Sequence, residues 1–320
     1  MSSRSTPTSS SASDRSLPPE RWAAAGLAVL ALASADPAAL AVERAGGWHQ
    51  WWRADRAPAA WPAGDAVVAS AVRWRPAAAG MEVGELRLSG SGEAWRIRAI
   101  VVRLDPAALR FRLESPAPVA GSPNQWSLRS APDSAVLALN AGQFGAAGAW
   151  GWVVRDGIER QPPRSGPLAP AVLVGRDGRL RIVPADSIAA VREANDAELA
   201  FQSYPALLEG DGTVPEALRS PGHGVDLQHR DSRLAIGELR DGRVLILLTR
   251  FEGLGGVLDN LPFGLTTPET AALMGALGCR RAVLLDGGIS SQLAVRDAAG
   301  GLRAWRGMRY VPLGLVARVR

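Results

Sequence analysis

One stretch of the chain, Leu284-Leu285-Asp286-Gly287-Gly288-Ile289-Ser290-Ser291-Gln292-Leu293, sets an acid, two glycines and two hydroxyls side by side. The glycines allow close approach of a ligand to the backbone and leave successive N–H groups to face an anion, and Ser290 and Ser291 add donors. Asp286 beside such a nest could serve as a catalytic carboxylate; the plainer reading is a loop whose Asp and Ser side chains satisfy the turn. A serine-hydrolase elbow is excluded by spacing, since Gly288-Ile289-Ser290-Ser291-Gln292 lacks the second glycine and no histidine follows. Three other segments carry groups of similar promise. Asn140-Ala141-Gly142-Gln143-Phe144 offers an amide that can donate and accept at once, as a sugar hydroxyl requires. Phe201-Gln202-Ser203-Tyr204-Pro205 precedes an apolar run, and Ser232-Arg233 opens another with a guanidinium whose planar fork fits phosphate. A metal-dependent phosphodiesterase built on Asp286, His223 and His229 would need more ligands than the sequence offers nearby, so neither a metal nor a cofactor is expected.

The elements that must hold these groups are mostly strands. Ala135 to Leu139 leads into Asn140, and Arg281 to Leu285 leads into Asp286, which places both at strand ends leaving the core. Asp177-Gly178 and Asp241-Gly242 sit between apolar runs and read as tight hairpin turns, and a Gly-Ser-Gly turn divides strands at Glu82 to Leu88 and Trp95 to Leu104. Thr266-Thr267-Pro268-Glu269 is a capping box that opens one helix, with Leu273, Met274 and Leu277 as its apolar face and Gly278 as its stop. The expected fold is α+β: a single mixed-sheet domain rich in β-hairpins with a few helices, preceded by a disordered or helical N-terminal segment.

Composition bounds the alternatives. The 320 residues include 36 basic side chains, all arginine, and 31 acidic ones, for a net charge of +5. The arginines are scattered singly rather than clustered, which argues against nucleic-acid binding. A single cysteine, Cys279, rules out an intramolecular disulfide. Residues 1–35 read as a Ser-rich leader and signal peptide, with arginines, an apolar run from Trp22 and small residues before Asp36; the competing reading is a core-packing helix that continues through Ala45. Export would place the protein in the periplasm or outside the cell, and an uncleaved leader would bring it close to a membrane. Residues 36–76 are expected to form a helical, Trp-rich linker or cap, and residues 77–320 the main domain.

The motifs in their order, from Val101-Val102-Arg103-Leu104-Asp105-Pro106 through LNAGQF, FQSYPALL, SRLAIG and the capped helix to LLDGGISSQL, resemble the phosphodiester glycosidase family over roughly residues 95–320. The resemblance implies hydrolysis of a sugar-1-phosphodiester to free sugar and phosphomonoester, with a carbohydrate phosphodiester as partner and a role in envelope or exopolysaccharide metabolism. It implies Asp286, Arg233 and Asn140 as the catalytic set: a nucleophile or general base, a phosphate neutraliser and a sugar anchor. It implies substrate binding by Gly142, Gln202, Ser203, Gly287, Gly288, Ser290 and Ser291. Glu252 and Glu209 are the nearest matches for a second carboxylate. The sequence departs from the family pattern at Gln143, Tyr204 and Ile289, the last in place of a third glycine, and at Glu252-Gly253, roughly where an Asp-Gly-Arg is usual. These departures leave open a non-catalytic polysaccharide-binding or envelope-assembly protein that kept the fold.

Overall fold

The computed structural model describes residues 38–116, 125–253, 261 and 263–320. The expected leader and signal peptide lie outside them. Among the described residues, no helix is long and apolar enough to cross a membrane.

Runs such as Ile97–Leu104 and Val244–Phe251 are apolar on both faces, because they are central strands of a nine-stranded antiparallel sheet covered on two sides. Alternate residues separate cleanly. Ile100, Val102, Ile246 and Leu248 enter one core with Leu139, Leu293 and Leu315 of a five-stranded sheet and Val172, Leu199 and Phe201 of another. Ala99, Val101, Leu245 and Leu247 enter a second core with the helix Thr267–Ala276, Leu40, Val68 and Trp61. The α+β architecture is thus three antiparallel sheets with a small two-stranded one, and few helices.

The hairpins form as expected. Ala171–Gly175 pairs with Leu180–Val183 across Asp177-Gly178, Leu234–Leu239 with Val244–Phe251 across Asp241-Gly242, and Met81–Gly90 with Ile97–Leu104. The capping box is complete: Thr266 accepts from the Glu269 N–H, and Glu269 accepts from the Thr266 N–H. The helix is buried all round rather than on one face, because its small residues lie against Trp61; a Cβ on Gly275 would sit 2.2 Å from that indole.

One expectation is corrected. Within residues 36–76, read as a helical linker, the α-helix is confined to Ala66–Ala71, and Ala39–Arg44 and Gly47–Arg53 form a β-hairpin at the edge of the nine-stranded sheet. Its helix-friendly composition yields to period-two burial: Leu40 and Val42 are fully buried, paired opposite Gly90 and Leu88. Gly90 leaves the room that Leu40 fills, since a Cβ there would lie 2.7 Å from Leu40 Cδ2. The tryptophans of this stretch divide by packing. Trp52 and Trp61 are buried, and Trp48 is exposed.

Candidate active site

Three strands deliver the site. Cys279–Leu284 leaves the core beside Leu234–Leu239, so Asp286, two residues beyond one strand, meets the Asp231-Ser232-Arg233 segment that leads into the other. Leu137–Asn140 arrives from the neighbouring sheet. The loop is laced in place by backbone groups: the Asp286 N–H donates to the Gly142 carbonyl at 3.0 Å, the Leu285 N–H to Leu234 at 2.8 Å and the Gly288 N–H to Ser232 at 2.8 Å.

The carboxyl so positioned is poorly solvated. Burial pushes Asp286 up to about 6, and the nearby Asp231 charge adds to this, while a hydrogen bond with Ser290 and the Arg309 cation pull the other way. Asp286 Oδ2 is buried with no hydrogen-bond partner among the described residues. A second carboxylate stands close by. Asp231 is likewise raised by burial, against the lowering effects of Arg233, the Ser232 N–H and His229. His229 Nε2 lies 3.5 Å from Asp231 Oδ2. Gly288 is what lets the two segments meet: its φ is +57°, and a Cβ there would lie 2.7 Å from Asp231 Oδ2. Perturbed carboxylates brought together in this way make the cluster a candidate functional site.

Several residues expected to touch substrate instead hold the protein together. Asn140 is buried; its Nδ2 donates to the Asp286 carbonyl at 2.9 Å and its Oδ1 accepts from the Gln292 N–H at 2.9 Å, so it clamps the loop from both sides. The Gln202 amide is engaged at both ends: Oε1 accepts from the Trp152 and Arg164 N–H groups, and Nε2 donates to the Arg164 and Ala169 carbonyls. Ser203 donates to the Leu284 carbonyl at 2.5 Å. Ser291 accepts from the buried Arg250 at 2.6 Å and donates to the Gly288 carbonyl at 2.8 Å. Gly142 and Gly287 make room for protein, since a Cβ would lie 3.0 Å from the Gln202 carbonyl oxygen in one case and 2.5 Å from that of Ser232 in the other. The Gly288 N–H, expected to face an anion, is taken by Ser232. Arg233 is buried and donates from Nε to Leu265 and from its guanidinium end to His229, so it braces the loop that carries Asp231.

The structure brings Asp231 and Arg309 close to Asp286 and Ser290. Neither glutamate suggested as a partner joins them: Glu252 pairs with Arg87, and Glu209 lies toward the Arg281 end of the strand, away from Asp286. Among the described residues, no group of three His, Cys, Asp or Glu side chains is arranged to hold a metal ion. Asp231 had a faint signal, an acid two residues before the strand-opening arginine; Arg309 had none.

The family model described as phosphodiester glycosidase matches residues 133–317, more than half of the chain. This chain belongs to the phosphodiester glycosidase family. Among solved structures, this phosphodiester glycosidase family member is similar to the zebrafish N-acetylglucosamine-1-phosphodiester alpha-N-acetylglucosaminidase catalytic domain, auto-inhibited by its pro-peptide. That match has 14% identity and a TM-score of 0.57, and covers 78% of this chain and 89% of that one. A hypothetical protein from Synechocystis matches at 15% identity and a TM-score of 0.53, over 78% of this chain and 64% of that one. Both likenesses show the fold. Among curated proteins, none matches the family member described here.

Proposed function

We propose that this protein hydrolyses a sugar-1-phosphodiester, with Asp286 as general base. The observation that carries the reading is the Asp286 carboxyl, buried, one oxygen unpartnered, and raised to about 6, where a carboxylate is both largely ionised at neutral pH and basic enough to take a proton. In the reaction the bond from the anomeric carbon to the phosphate oxygen breaks, and its electron pair leaves with the phosphomonoester. Water supplies the new C–O bond and gives its proton to Asp286. Phosphate is a good leaving group, so less acid assistance is needed than for an ordinary glycoside, and stabilisation of the oxocarbenium-like transition state matters more. Asp231 is the second carboxylate, Ser290 orients Asp286, and Arg309 supplies positive charge beside it. Family membership supports the reaction class, and the activity named for the zebrafish relative makes N-acetylglucosamine-1-phosphate esters the first substrates to try. An exported protein acting in the periplasm or outside the cell, on envelope or exopolysaccharide material, fits the composition of the leader.

The test is product release from a panel of sugar-1-phosphodiesters by the wild type and by Asp286→Asn. Turnover that falls at least 10³-fold in a folded variant is the expected result; equal turnover refutes the role of Asp286. A second reading rests on Ile289, whose 43% exposed side chain stands where the family carries a third glycine: a binding or envelope-assembly protein on the same fold. A folded wild type that retains the phosphodiesters and releases nothing would select it.

A further inference from the structure

Next to the Asp286 loop, the segment from Arg306 to Tyr310 faces the turn at Ser127–Arg129 across a cleft of about 200 Å³. The walls are pinned by backbone bonds: Trp126 and Val311 exchange N–H groups at 2.8 and 3.0 Å, and the Met308 N–H donates to Ile289 at 2.7 Å. Gln292 lines the cleft and is 1% exposed. Its Oε1 accepts from the Leu128 N–H at 3.0 Å, and since only the oxygen of an amide accepts, the other end must be the NH₂. That Nε2 is buried with no partner among the described residues. A buried donor left unmade is costly, and a ligand bearing acceptor oxygens would satisfy it.

The charge of the cleft points the same way. Arg129, Arg306 and Arg309 line it, no carboxylate does, and none of the three makes an ion pair with a described residue. Arg53, Arg192 and Arg243, by contrast, each hold an acid. Arg309 also acts on the Asp286 carboxyl and stacks over Phe144, with 5.1 Å to the ring centroid, so the cleft and the carboxyl share one cation.

We infer that this cleft is a phosphate-binding subsite, with the Gln292 amide as its buried donor and the three guanidiniums as its charge. A planar carboxylate offers two oxygens in one plane, whereas the donors here come from three separate chain segments and suit the tetrahedral oxygens of phosphate. The inference deepens the glycosyl-phosphate reading of Asp286 and rests on it for one point: the phosphate held here is that of the leaving phosphomonoester.

The experiment is calorimetric titration of the full chain with inorganic phosphate in low-chloride buffer, with acetate as control, together with turnover of the same samples. Arg129→Ala/Arg306→Ala alters exposed side chains only, and Gln292→Leu removes the buried donor. Saturable phosphate binding that acetate does not mimic, weakened tenfold or more by each variant, is expected, with kcat/KM for a phosphodiester lowered tenfold or more in the arginine variant. A folded wild type that binds no phosphate, or binding unchanged in the arginine variant, overturns the subsite. Phosphate binding that obeys these variants in a protein without turnover sustains the subsite and sinks the role of Asp286; turnover without phosphate binding does the reverse.

Discussion

The Asp286 side chain sets the pH behaviour at the residue scale. A general base must be ionised, so kcat/KM should climb with pH, level off above a limb near 6, and lose that limb in Asp286→Asn. Asp231 raises the Asp286 value through its charge, so Asp231→Asn should shift the limb to lower pH while cutting kcat at least tenfold; a limb unmoved by this change would separate the two carboxylates. Asp286 and Ser290 stand out in the sequence as a strand-end acid and a hydroxyl in a glycine turn, a pattern that serves either a ligand or the turn itself. The sequence did not disclose what Asn140, Gln202, Ser203 and Ser291 do. An amide or hydroxyl that can bind a sugar can equally bind a peptide group, and which one it meets is decided by the backbone of other segments. Asp231 and Arg309 reach the site through strand pairing across long stretches of chain, which no local pattern records.

Turns and strands decide whether those side chains meet. Gly288→Ala adds a methyl where the Asp231 carboxylate lies and forces a side chain onto positive φ, so activity should fall by more than tenfold; kinetics alongside a circular dichroism spectrum like that of the wild type would locate the damage in the loop. At this scale much of the fold was legible. Asp-Gly turns and the Thr266 capping box act through their own neighbours, and they form as their sequences suggest. A third Asp-Gly turn, at Asp156-Gly157 between Val153–Arg155 and Ile158–Gln161, carries the same signal and forms the same kind of hairpin. The Ala39–Arg53 hairpin departs from its local preference: Ala, Leu and Glu favour helices in isolation, while pairing with Met81–Gly90 buries Leu40 and Val42 only if the segment is extended.

For the molecule as a whole, residues 38–76 contribute Leu40, Val42, Trp52, Trp61 and Val68 to the second core, beside the helix and the central strands. A chain beginning at residue 77 should therefore lose cooperative unfolding, whereas one beginning at residue 38 should keep it, as thermal melts followed by near-ultraviolet circular dichroism would show. The unpartnered Asp286 oxygen also has a bearing on endurance. A carboxyl raised from 3.8 to about 6 favours the folded state fully below its unfolded value of 3.8, and that contribution, about 3 kcal/mol, is lost as pH rises through 6. Asp286→Asn should thus melt several degrees higher than the wild type at pH 7 and no higher at pH 4. This one carboxyl contributes least to stability under the conditions in which it is ready to act as a base, and selection for thermal robustness alone would discard the residue on which turnover depends.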